Sequence, residues 1–208
     1  MKLIQKMSVL FLVFCFLAVP VGAAAVQSSA DDFDAIALLT AAGLIEKEDA
    51  EQDRNAYVSR AELAVMAARF RGIEPMAQAY YEKPVFYDVE RDYYEAGYIH
   101  AAVLAGLILP AEPGYFRPTE AVDCLTAIKS LMTVLGYRSE AVKRGDTVTA
   151  WMSVAATAGL TGSKSFSSSA KITRGELYDL VENSLDVDVL VEEVVTEDMV
   201  QMSASKGQ

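Results

Sequence analysis

Three Ala-rich apolar segments recur along this chain, each ending in a Gly-Leu pair: "DAIALLTAAGLI" (34–45), "GYIHAAVLAGLI" (97–108) and "AWMSVAATAGLT" (150–161). A repeat of this kind constrains the fold more than composition does, because each unit must bury its apolar face against its neighbours. Aligned on Gly43, Gly106 and Gly159, the position seven earlier is Ile36, Ile99 and Met152. Four earlier stand Leu39, Ala102 and Ala155, and one earlier Ala42, Ala105 and Ala158. Apolar residues at helical spacing, then Gly-Leu, predict a helix closed by a C′ glycine with an apolar residue folding back. The small residues predict close packing against each helix.

A second helix follows each segment. Its N-caps are Ser59, Asp123 and Thr173, which lie 16, 17 and 14 residues after the glycines. The runs are "SRAELAVMAARFRG", "DCLTAIKSLMTVLG" and "TRGELYDLVENSLD", and the residue thirteen beyond each cap is Gly72, Gly136 and Asp186. Loop length varies while helix length holds, as expected of packed helices joined by exposed loops. Leu63, Met66, Ala67 and Phe70 make an apolar stripe at helical spacing, as do Leu125, Ile128 and Met132, and these read as core. A unit of roughly 40–50 residues buries too little surface alone. The expectation is an all-α fold in which three helix–loop–helix units pack as a pseudo-threefold assembly. Their bounds are 31–75, 84–138 and 145–190.

The chain opens with "MKLIQKMSVLFLVFCFLAVPVGAAA". Lys2 and Lys6 form a basic n-region, Met7 to Val19 an apolar core, and Gly22 to Ala25 a run of small residues, as in a secretory signal peptide spanning 1–25. The core is shorter than the roughly 20 residues of a membrane span, and Cys15 lacks the small residues that precede a lipidated cysteine. Cleavage would remove two lysines and take the formal charge from −11 to −13. So acidic a chain, without a basic face, is a poor binder of nucleic acid. Cys124 would be the one cysteine left, so no disulfide framework is expected, and His100 is the single histidine, which leaves no ordinary zinc set.

Ser59-Arg-Ala-Glu62 and Thr173-Arg-Gly-Glu176 are capping boxes. The box explains Ser59, Glu62, Thr173 and Glu176, but not Arg60 or Arg174. A cation in the first turn faces the positive end of the helix dipole, a penalty of a few tenths of a kcal/mol. An anion seated there would gain from the arginine and from unpaired amides together. The alternative is a solvated surface arginine.

The segment 86–137 resembles an S-layer homology (SLH) repeat. It carries F-x-D-V at Phe86, Asp88 and Val89, Gly106-Leu107-Ile108, the G-x-F-R-P turn at Gly114, Phe116, Arg117 and Pro118, and Leu135-Gly136-Tyr137. The flanking repeats supply the family's T-R-A-E signature as "SRAE" and "TRGE", so the resemblance covers roughly residues 31–190. It implies a pseudo-trimer around a central helical bundle and a non-enzymatic role with no cofactor. That role is to hold a secreted protein to the surface of a Gram-positive-type envelope, through a secondary cell-wall polymer. The ligand implied is a pyruvate ketal on N-acetylmannosamine, its carboxylate held by Arg60 and Arg174. Tyr94 falls where the family often has Trp, whereas Trp151 is displaced from that column.

Repeat two has Asp123-Cys124-Leu125-Thr126 at the signature, so Cys124 replaces the arginine, and this repeat is expected to keep its structural role and lose its pocket. Repeats one and three lack the G-x-F-R-P turn. At most two sites are therefore expected. The alternative is a structural or assembly protein that uses the scaffold to bind another surface protein.

Other chemistry is sparse. "EKEDAEQDRN" (46–55) lacks the glycine and glutamate of an EF-hand loop and reads as a solvated acidic loop. His100 reads as a partly buried structural histidine. No nucleophile motif or phosphate-cradling glycine loop is present. In the tail, Val187, Val189 and Val191 alternate as in a short strand or extended segment, and 191–208 reads as acidic and extended or disordered.

Overall fold

The computed structural model describes residues 36–46, 52–80 and 85–190. The signal-peptide reading (1–25) and the tail beyond Leu190 lie outside them. The protein is all-α. Its helices are α1 (described residues 36–41), α2 (Arg60–Arg71), α3 (Glu74–Ala79), α4 (Ala96–Leu104), α5 (Cys124–Val134), α6 (Arg138–Lys143), α7 (Val148–Ala158) and α8 (Arg174–Ser184).

The repeated glycines do what their spacing predicts. Gly43, Gly106 and Gly159 all have positive φ, and the next amide bonds back to the same helical level each time. Leu44 donates to Leu39 O, Leu107 to Ala102 O and Leu160 to Ala155 O, at 2.8–3.0 Å. This Schellman closure turns the three leucines inward, and all are buried. The position four before each glycine is fully buried, whereas Ala42 and Ala105, one before it, are exposed. Close packing therefore occurs on the Leu39, Ala102 and Ala155 face and not along the whole small-residue stripe.

Ser59, Asp123 and Thr173 cap α2, α5 and α8 through their side chains, and both capping boxes form. The segments entering these helices are joined in a closed cycle. Val58 donates to Ile172 O, Ile172 to Val122 O, and Val122 back to Val58 O, at 2.9–3.1 Å. Two further cycles follow in the first turns. Arg60, Cys124 and Arg174 donate to Glu120, Ala170 and Ala56, and Ala61, Leu125 and Gly175 donate to Pro118, Ser168 and Arg54. Each repeat thus caps its helix on the next repeat's loop, in the order one to two, two to three, three to one.

One buried core joins the repeats, with Leu39, Leu63, Ile99, Phe116, Ile128, Met132, Leu160, Ile172 and Leu180 all fully enclosed. Helix α2 packs on α4 and α5, and α5 on α7 and α8. Among the described residues α2 and α8 meet through side chains and leave a groove between them. The short helices α3 and α6 have no counterpart in the sequence reading. Residues 187–190 form no strand. They run irregularly, with Val187 buried and Leu190 N donating to Leu135 O at 2.9 Å.

Candidate functional site

The first-turn arginines do not sit beside unpaired amides. In α2 the amides of Arg60 and Ala61 are taken by Glu120 O and Pro118 O, and that of Glu62 by Ser59 Oγ. In α8 the amides of Arg174 and Gly175 are taken by Ala56 O and Arg54 O, and that of Glu176 by Thr173 Oγ1. The inter-repeat cycle uses the donors that the helix start would have offered an anion. What remains for a ligand is side chains, and these line two different grooves.

Arg174 lies in the groove between α8 and α2, about 190 Å³ in volume, with Tyr94 on its wall. It is 8% exposed, ion-paired with Glu62 and hydrogen-bonded to Asp53 O at 2.9 Å. Glu62 is therefore more than a cap: one oxygen accepts the Ser59 amide at 2.7 Å while the other holds Arg174. Burial pushes the Glu62 carboxyl up, but the bonds from Ser59 and Arg174 outweigh it and hold the group below its ordinary value. Arg69 in the same groove is paired with Glu46, which also accepts from the Tyr94 hydroxyl at 3.0 Å. Both guanidinium groups are thus already neutralised.

Arg60 lies in the groove along α5, about 360 Å³, which it shares with Lys129, Arg138 and Trp151. It is half-buried and its donors go to carbonyls: Nε to Phe116 O at 2.7 Å and Nη2 to Leu109 O at 2.5 Å. Its guanidinium stacks 4.8 Å from the Phe116 ring centroid. No carboxylate among the described residues ion-pairs with it. Burial lowers its pKa, and the fields of Glu120, Asp123 and Asp88 offset this only in part. Arginine keeps its proton regardless, so the penalty is one that a bound anion would relieve.

The repeat-two motif explains how Arg60 is positioned. Asp88, of F-x-D-V, accepts the amides of Phe116 and Arg117 at 2.9 and 2.7 Å. This clamps a turn in which Arg117 has φ +59, a conformation disfavoured without glycine. Phe86 supports the Phe116 ring, with centroids 5.6 Å apart. The clamped turn presents both the carbonyl and the ring that hold Arg60. One arginine and one intact G-x-F-R-P turn, which no single repeat contains together, are thereby joined across a repeat boundary. The groove along the repeat-two helix is lined by Arg60 of repeat one.

Cys124 is buried, and burial together with the carboxylates of Glu176 and Asp123 raises its thiol pKa. It faces the repeat-three capping box as Arg174 faces that of repeat one. His100 is half-buried against Tyr80, with ring centroids 4.0 Å apart. Sequence reasoning missed Lys129, Arg138 and Trp151. Lys129 is separated from Arg60 by 69 positions, and only the cycle of repeats brings them together. No family model matches the chain, and no curated protein matches it significantly.

Proposed function

We propose that this chain is a three-repeat S-layer-homology module, arranged as a pseudo-trimer. Its role is to bind an anionic, pyruvylated secondary cell-wall polymer at the surface of a Gram-positive-type envelope, without catalysis. The supporting observation is Arg60: half-buried, without an ion pair to a carboxylate among the described residues, and accompanied by Lys129 and Arg138 in a groove that Asp123 and Asp146 also line, in a chain whose formal charge is −11. A small carboxylate seated there would accept from a guanidinium already oriented by two carbonyls and a ring, so little ordering remains to be done on binding. The closed cycles of backbone bonds support the pseudo-threefold arrangement. In this reading one groove binds ligand, and the Arg174 groove is a structural joint.

Co-sedimentation with purified polymer-bearing cell walls, before and after chemical removal of pyruvate, tests this. Binding that disappears with pyruvate and with Arg60→Gln supports the reading. Binding indifferent to both would sink it and leave the scaffold as a protein-assembly module.

A further inference from the structure

The Arg60 groove is longer than one carboxylate requires. Lys129 stands six residues beyond the cap Asp123, about 9 Å of helix rise. Its ammonium lies 5.3 Å from the Trp151 ring centroid. Trp151 is buried and donates Nε1 to Asp146 Oδ1 at 2.6 Å. Asp146 has φ +53, the left-handed region that aspartate tolerates better than most residues. Through this bond it fixes the indole as the floor beneath Lys129. Arg138 lines the same groove beside Gly106, where a Cβ on the glycine would come within 3.1 Å of its Nη1.

The acids in this groove are already engaged, Asp123 by the Thr126 amide and Asp146 by the indole. Among the described residues neither Lys129 nor Arg138 has a carboxylate partner. Next to Lys129 in the chain, the buried residue Ser130 also lines the groove, and its hydroxyl has no hydrogen-bond partner among the described residues.

We propose that the groove binds an acidic glycan at two points: a first acid at Arg60, and a second, on a neighbouring sugar, between Lys129 and Arg138 over Trp151. The inference rests on the wall-polymer reading and specifies its ligand as a segment with two acidic groups. A glycan with a single terminal acid would leave half of the cationic groove empty.

Two synthetic disaccharides of N-acetylmannosamine test it. Both carry a pyruvate ketal on the first sugar, and one also carries a phosphate monoester on the second. Each is titrated into the whole protein by calorimetry and by tryptophan emission, which reports on Trp151 alone because the chain has one tryptophan. The doubly acidic probe is expected to bind about tenfold more tightly, as one added charge-assisted contact allows, and to be the one that shifts the emission. Lys129→Gln, or the exposed and therefore fold-neutral Arg138→Gln, is expected to bring the ratio of the two affinities close to one. Equal affinities in the unaltered protein, or a ratio unmoved by both variants, would overturn the second subsite while leaving the first. Failure of both probes to bind would overturn the wall-polymer reading as well.

Discussion

Arg174 is ion-paired with Glu62, whereas Arg60, at the same position of another repeat, faces Thr126 and makes no ion pair among the described residues. The two arginines that the sequence presents as equivalents thus have opposite electrostatic situations. The difference comes from the helix each one faces across the repeat boundary. Arg174 faces a helix with a capping-box glutamate, and Arg60 faces one that has threonine in its place.

The variants Arg60→Gln and Arg174→Gln should therefore separate binding from stability. Arg174→Gln removes a buried cation and strands Glu62, costing about 2–3 kcal/mol once the partial exposure of Glu62 is allowed for. Wall binding should survive it. Arg60→Gln loses carbonyl bonds and a ring contact, about 1 kcal/mol, but should lower wall affinity about a hundredfold. Urea unfolding and co-sedimentation on the same two proteins would expose the split. Equal losses of binding would refute it.

Glu62 also predicts a pH dependence. Its carboxyl is held below its ordinary 4.5 in the folded protein, so its contribution is complete above that value and is lost as pH falls through the lowered one. Glu62→Gln keeps a side chain able to cap α2 but cannot carry the charge. The stability gap between the parent and this variant should be constant from neutral pH to about 5 and then close as acid protonates Glu62. Denaturation midpoints across that range measure it. A gap that widens in acid would mean the ion pair is not the source.

What could be read from the chain follows from how local each feature is. The caps at Ser59, Asp123 and Thr173 and the closures at Gly43, Gly106 and Gly159 use residues within a few positions of one another, so spacing alone reveals them. The stripes at Leu63 and Ile128 follow helical period for the same reason. The site does not. Asp88 acts on Arg60 through a turn 28 residues away, and Lys129 joins the groove through the order in which repeats cap one another. Reading each repeat as a self-contained site ties the repeat-two groove to Cys124, whereas Arg60 of repeat one lines it. The short helices α3 and α6 escaped because six residues give too little period to see.

Asp88 should behave as a positioning residue. Asp88→Ala leaves the Phe116 and Arg117 amides without their acceptor and frees a turn held at positive φ, for a cost of about 2–3 kcal/mol. Because that turn presents the carbonyl and ring beneath Arg60, wall affinity should fall as well, by about tenfold. Asp88→Asn, which retains one acceptor oxygen, should recover part of both. Recovery of stability without recovery of binding would show that the turn does not position Arg60.

The sharpest test exchanges the residue that distinguishes the two grooves. Thr126→Glu places a carboxylate at N3 of α5, where it can complete a capping box with Asp123 and reach toward Arg60, as Glu62 does toward Arg174. Capping and a partly exposed ion pair together should stabilise the fold by about 0.5–1 kcal/mol. The same carboxylate should occupy the seat proposed for the polymer's acid and lower wall affinity at least about tenfold. A variant more stable yet weaker in binding would identify Thr126 as the residue that keeps the groove open. Stabilisation with binding intact would place the polymer's acid elsewhere than at Arg60.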